Sequence, residues 1–142
     1  MGSIHNLFLD KIRSKFPKQM NDLVEVKQSP LHGKGVFATR NIVKGELLVK
    51  SDMALVHVNE NLPEVLATLQ FPWTEEYDAI CISGAGSFFN HSGQPNAEVK
   101  ERDFLKLTQS FVATSDIVKG DEITIFYNDA FEAFVSQLKL KF

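Results

Sequence analysis

The stretch GSFFNHSGQPN, residues 86–96, sets Phe88 and Phe89 directly against Asn90, His91 and Ser92, then leaves through Gly93, Pro95 and Asn96. A solvated loop has no use for adjacent phenylalanines, and a regular strand does not accommodate Gly-Gln-Pro. The arrangement predicts polar side chains that are buried by design, with partners supplied from elsewhere in the chain. Asn90 carries two donors and an acceptor, and His91 can donate and accept. Left unpaired in a core, each such group costs on the order of 1–3 kcal/mol. A metal site would need further ligands nearby. Cys81 lies ten residues away, and the other histidines lack ligand spacing. A Ser-His nucleophile would need a Gly-x-Ser-x-Gly elbow, which is absent. What remains is a polar network that holds crossing loops, and such a network can also bind a ligand.

On either side of this stretch the chain repeats itself. ATRNIVKGELL (38–48) and ATSDIVKGDEI (113–123) share Ala-Thr, then Ile-Val-Lys-Gly, then an acid. Each reads as a strand, a polar corner, a Lys-Gly turn and a second strand. Gly45 and Gly120 are expected at positive φ, which other residues resist. Two copies do not make a solenoid. They predict two similar β units packed around residues 86–96.

Strands are predicted at LVEVK (23–27), GVFATR (35–40), GELLVK (45–50), MALVHV (53–58), AICIS (79–83), NAEVKE (96–101), FLKLTQSFVAT (104–114) and EITIFY (122–127). Ile4, Leu7, Phe8, Ile12 and Phe16 recur at helical spacing and predict an amphipathic helix over 4–16, ended by Pro17. Residues 62–70 predict a helical turn opening at Pro63. Phe131, Phe134, Val135 and Leu138 predict a closing helix. The division is an N-terminal helical extension (1–20), a core (21–129) and a C-terminal closing helix (130–142). The fold class is mainly β with short helices.

Composition bounds the function. The 142 residues fit one domain, and a hydrophobic share of 44% supplies a core. A net charge of −3 argues against duplex nucleic acid as the primary ligand and suits a basic peptide better. The lone cysteine, Cys81, excludes an internal disulfide and any multi-thiolate zinc site, and an intracellular reducing compartment is its simplest context. Whether that is cytoplasm or nucleus stays open. The N-terminus lacks the apolar region of a signal peptide, and no run approaches the about 20 residues of a membrane span. Asn6 stands where a myristoylation signal wants Ser or Thr.

Two further motifs flank the central one. In SPLHGKGVFA (29–38), Gly33 and Gly35 bracket Lys34 before a strand. A Gly-x-Gly turn lets a ligand approach the backbone with no Cβ in the way. It is not a dinucleotide fingerprint, because the third glycine is missing and a strand follows. Taken alone it reads as a tight turn. In GDEITIFYND (120–129), Tyr127 ends an apolar strand, and one of only two tyrosines thereby sits where sites tend to form.

The order of these motifs resembles that of the SET-domain protein lysine methyltransferases, over roughly residues 23–129, and the compact form is most similar to small stand-alone SET proteins of viruses and bacteria. The resemblance implies a fold of small sheets, of the β-clip type, with a C-terminal pseudoknot in which the Asn-His tract threads beneath the loop of the last motif. Phe88 and Phe89 would anchor the thread, and Pro95 and Asn96 would fix its exit. The implied cofactor is S-adenosyl-L-methionine. The backbone of His32, Gly33, Lys34 and Gly35, with Val36, would line it. Asn90 would bond its polar groups, His91 would meet the adenine mainly through its backbone, and Phe131 or Phe134 would cover the adenine. Tyr127 matches the active-site tyrosine. Phe71, Ile125 and Phe126 would wall the channel of a substrate lysine.

The implied reaction moves a methyl group from sulfonium to a lysine ε-nitrogen, with no metal required. The implied partner is a lysine-containing protein, histone or not. A homodimer through the N-terminal helix or the Phe-rich tail is open, and neither direct nucleic-acid nor membrane binding is implied. The chain departs from the family pattern at Gly93 (often Cys), at Ser87 (often Arg), at Ile125 (often Tyr or Phe) and in lacking the C-terminal zinc-binding cysteines. Ile125, without a hydroxyl, leans the expectation toward more than one methyl per lysine. The alternative is a non-catalytic SET-like module that binds a peptide or protein. Retention of Asn90, His91 and Tyr127 together favours the enzyme.

Overall fold

The computed structural model describes residues 23–129 and residue 133. The expected helix over 4–16, the closing helix over 130–142 and the adenine-covering role of Phe131 or Phe134 lie outside the described residues.

In chain order the elements are β1 (Val24–Gln28), β2 (Lys34–Ala38), β3 (Leu47–His57), α1 (Glu64–Ala67), β4 (Gln70–Pro72), β5 (Tyr77–Cys81), a 3₁₀ turn (Gly86–Phe88), β6 (Asn90–His91), β7 (Ala97–Asp103), β8 (Thr108–Ala113) and β9 (Glu122–Ile125). Two sheets result, in the orders β1-β2-β9-β6 and β4-β5-β3-β8-β7. All pairings are antiparallel except β6 with β9, where Asn90 lies opposite Thr124 and His91 opposite Ile125. The last strand is therefore inserted between β2 and the Asn-His tract, two segments that precede it widely in sequence. This is the β-rich architecture expected. Among the described residues no helix is long and apolar enough to cross a membrane.

The strands differ from the sequence reading in several places. β9 ends at Ile125, so Tyr127 lies two residues beyond the strand rather than at its end. Asn90–His91 forms a short strand that was not expected. GELLVK and MALVHV form one continuous strand, β3. Ser51 and Asp52 looked like a break, yet they keep the alternation: Ser51 is buried and Asp52 exposed. FLKLTQSFVAT yields a strand only from Thr108. Its first residues make a turn, in which Asp103 Oδ1 accepts the backbone N–H groups of Leu105 and Lys106 at 3.0 and 2.9 Å and Leu107 adopts φ 53°. The short edge strand β4 was not expected, and its Pro72 is tolerated because an edge leaves one N–H row unpaired. The helical turn at Pro63 forms as expected, with Pro63 at its N-terminal boundary.

The repeats do not merely flank residues 86–96; they pair with each other. Ile42 and Ile117 exchange both backbone bonds, at 2.8 and 2.9 Å. Gly45 donates to the Ala113 carbonyl and Gly120 to the Ala38 carbonyl, each at 2.8 Å. The Lys44 N–H donates to Asp116 Oδ1 at 2.8 Å, and the Lys119 N–H to Asn41 Oδ1 at 2.9 Å. Each bond has its counterpart in the other copy, so the two units meet about a near-twofold axis. Gly45 and Gly120 take φ 92° and 91°, as the sequence required.

The core gathers Val36, Leu48, Phe111 and Ile123, all fully buried. Phe89 joins it, its ring 4.7 Å from that of Phe111. Phe88 does not: the 3₁₀ turn carries it outward to 41% exposure, so a single phenylalanine anchors the tract. Gly86 makes that turn fit. A Cβ there would fall 2.5 Å from Ser51 Oγ and 2.7 Å from Cys81 Sγ. Cys81 itself is packed in the core, where burial pushes its thiol up to about 11 despite the opposing pull of the nearby Ser51 and Ser87 hydroxyls.

Candidate functional site

The site is assembled where β2, β6 and β9 lie side by side. The β6–β9 pairing puts Asn90 next to the end of the Gly-x-Gly turn. The Asn90 Nδ2 amide donates to the carbonyls of His32 and Lys34, at 3.1 and 3.2 Å, and to Glu122 Oε2 at 2.8 Å. The other Glu122 oxygen accepts the Ser29 hydroxyl at 2.7 Å, and Ser29 Oγ in turn accepts the Leu31 N–H at 2.9 Å. Glu122 thus ties the start of the glycine turn to the Asn-His tract. Gly35 passes through this knot of side chains: a Cβ there would press into Glu122 Oε2 and Asn90 Nδ2. Gly33, at φ 47°, has open space where its Cβ would be.

His32, Gly33 and Lys34 are exposed, whereas Gly35 is buried. Val36 is buried in the core, its side chain serving the fold rather than a surface. Asn90 is buried, and its Oδ1 accepts no hydrogen bond from the described residues. A buried amide with its donors committed and its oxygen free is suited to accept a bond from an ammonium or hydroxyl of a ligand. Together with the exposed glycine turn, this set fits a small polar ligand carrying a cationic amine.

Tyr127 is fastened to the same tract from both ends. Its backbone N–H donates to His91 Nδ1 at 3.0 Å, and its hydroxyl donates to the Phe89 carbonyl at 2.7 Å. The first bond makes Nδ1 an acceptor, so neutral His91 carries its proton on Nε2. The His91 and Tyr127 rings meet edge to face at 5.3 Å. Burial of the phenol, and secondarily the negative charge of Glu122, raise the Tyr127 pKa above that of free tyrosine.

Tyr127 also lines a cleft of about 670 Å³. Phe71, Ile125 and Phe126, which sequence reading placed around a channel, all line it too, with Phe89, Val99 and Ser87. The Phe71 ring packs edge-on against Phe111 at 5.9 Å. His32, Gly33, Lys34, Gly35, Val36, Asn90 and His91 do not line this cleft. The predicted residues therefore fall into two groups, a polar one at the glycine turn and an aromatic one in the cleft. The segment from Phe89 to His91, with Tyr127 bonded to it, joins them.

Sequence reading missed Glu122 and the full role of Asn96. Asn96 Oδ1 accepts the Thr124 N–H at 2.8 Å and its amide donates to the Glu122 carbonyl at 3.0 Å, completing β9 from its far side. A signal for Glu122 was present. In the aligned repeats it stands where the first copy has Leu47, an acid in place of an apolar strand residue.

Small sheets, a strand inserted beside an Asn-His tract, a glycine turn and a terminal tyrosine define a protein of the β-clip, SET type. The SET domain, as a family, matches residues 33–128, and the chain belongs to the SET-domain family. It is similar to the histone-lysine N-methyltransferase trithorax of Drosophila virilis, with 29% identity over 121 residues, covering 78% of this chain and 3% of that protein. The chain thus spans a small part of that relative. The crystal structure of a Plasmodium falciparum protein, provisionally assigned as a histone methyltransferase, superposes with a TM-score of 0.64 at 28% identity, covering 75% of this chain and 93% of that one.

Proposed function

We propose that this chain transfers methyl groups from S-adenosyl-L-methionine to the ε-amino group of a lysine in a protein substrate. The observation that carries this reading is the double attachment of Tyr127: a phenol set beside Phe71, Phe89, Ile125 and Phe126 in the cleft while tied to the tract that holds Asn90. The names borne by its relatives support the same chemistry and make a histone one candidate substrate, beside non-histone proteins.

The glycine turn at His32–Gly35 and the free Oδ1 of Asn90 would hold the cofactor, with the buried His91 beneath it. When bound, S-adenosylmethionine supplies an electrophilic methyl group together with its own leaving group. The chain supplies position and environment. Phe71, Phe89, Ile125 and Phe126 line the cleft with apolar surface, which disfavours an ammonium and lowers the lysine pKa from its ordinary value of about 10.4. The amine then sheds its proton to water and presents a lone pair. Tyr127 keeps its own proton, because its pKa is raised and its hydroxyl is already directed at the Phe89 carbonyl. Its oxygen lone pairs remain to hold the amine in line, a positioning role rather than that of a base.

The test is transfer of labelled methyl from S-adenosylmethionine to a panel of histones and cytosolic proteins, with Tyr127→Phe alongside. Lysine labelling by the parent chain that falls steeply in the variant supports the reading. No labelling of any protein, with cofactor bound, would favour the non-catalytic binding module.

A further inference from the structure

The cleft carries a charge that methyl transfer itself does not use. Arg102 lines it from β7, the edge strand of the larger sheet. In a regular strand Ala97, Val99 and residue 101 would share one face. Here the β7–β8 register shifts between Val99 and Glu101: Val99 lies opposite Phe111, Glu101 opposite Ser110 and Arg102 opposite Gln109. Phe111 and Gln109, two apart on β8, share a face, so their partners Val99 and Arg102 do also. The bulge at Lys100 moves the face from residue 101 to residue 102. Arg102 thereby joins Ala97 and Val99 along the cleft, and Glu101 does not line it.

The guanidinium is also held. Arg102 Nε donates to Oε1 of Gln109, a fully buried side chain, at 3.3 Å. That bond occupies one edge of the fork and leaves the two terminal amino groups without a partner among the described residues. Arg102 makes no ion pair with a described carboxylate, although Glu98 of the same strand also lines the cleft. A planar fork on an exposed arginine, oriented from behind and not ion-paired with Glu98 of the same cleft, matches the two oxygens of a carboxylate.

Building on the proposed function, we infer that Arg102 is a specificity residue, selecting substrates with an aspartate or glutamate near the methylated lysine. A bulge that re-aims one residue, a buried glutamine that holds it and an unpaired fork in the cleft together carry this reading.

The experiment uses lysine-centred peptides in which each flanking position is varied in turn. Labelled methyl transfer and, separately, binding by fluorescence anisotropy with S-adenosylhomocysteine present are both measured. For the parent chain, Asp or Glu at one flanking position should improve both readouts by about five- to tenfold over Ala, as a partly exposed bidentate pair allows. Arg102→Glu should reverse the preference toward Lys or Arg at that same position, acting on KM far more than on kcat. Arg102→Lys should restore part of the acidic preference. A thermal melt of each variant shows that the fold is intact. An acidic preference that survives Arg102→Glu, or none in the parent chain, would overturn the assignment. Methyl transfer without acid selection overturns the Arg102 role alone. Acid-selective binding without methyl transfer overturns the proposed reaction and leaves the Arg102 role standing.

Discussion

The Tyr127 hydroxyl donates to the Phe89 carbonyl at 2.7 Å, joining residues 38 positions apart in sequence. Phe89 is the residue immediately before Asn90, so this bond links the cleft tyrosine to the polar tract at its root. Tyr127→Phe removes that donor and the oxygen proposed to hold the amine, while leaving the ring. Methyl transfer should fall by a factor on the order of 100 or more, with cofactor affinity nearly unchanged and stability lowered by about 1 kcal/mol. Single-turnover rates set beside a calorimetric titration separate these effects. Undiminished turnover removes Tyr127 from the chemistry.

Glu122 serves two donors at once, Ser29 at 2.7 Å and Asn90 at 2.8 Å. A glutamine has one acceptor oxygen, so Glu122→Gln leaves one donor facing an amide NH₂. The expected loss is about 1–3 kcal/mol, read from urea unfolding, together with weaker cofactor binding because Asn90 is no longer held. Asn90→Ala should do both as well. A variant that loses stability but binds cofactor as before would make this network purely architectural.

The two repeat turns should respond alike. Gly45 and Gly120 occupy equivalent places in the near-twofold pair, at φ 92° and 91°, and both have open space around an added Cβ. The cost of alanine at each is therefore backbone strain alone, about 1–2 kcal/mol. Equal shifts of the melting temperature for Gly45→Ala and Gly120→Ala are expected. A large inequality would mean that the two turns do not contribute equivalently to folding.

Alkaline pH should destabilise the fold through Cys81. Burial holds its thiol at about 11, against an ordinary value of 9.0. Between those values the unfolded chain loses the proton and the folded chain keeps it, so stability falls as pH rises. The loss approaches about 2–3 kcal/mol by pH 11. Tyr127, also raised, acts in the same direction at higher pH. Melting temperature measured from pH 8 to 11 should drop more gently in Cys81→Ala than in the parent chain.

Much of this was legible in the sequence because the tract 86–96 breaks local rules. Adjacent Phe, Asn and His before Gly and Pro make sense only with distant partners, and the partners of Asn90 come from the glycine turn 56 and 58 residues away. Gly45 and Gly120 were readable because positive φ selects glycine. Phe88 was not, because nothing local distinguishes which of two neighbouring aromatics a 3₁₀ turn sends outward. The continuity of β3 was hidden by Ser51, a polar residue on the buried face. Arg102 could not be placed from alternation, since the bulge at Lys100 is set by pairing with β8. Glu122 was read only as the first residue of a strand, and the insertion of β9 beside β6 gave it Asn90 as a partner.

The most direct test of the central proposal is a calorimetric titration of the chain, and of Asn90→Ala, with S-adenosylmethionine and S-adenosylhomocysteine. Binding near one site per chain, weakened at least tenfold by Asn90→Ala in a variant that still melts cooperatively, is the expected result. Saturating concentrations that give no heat and no rise in melting temperature would contradict a cofactor site at the Asn90 network.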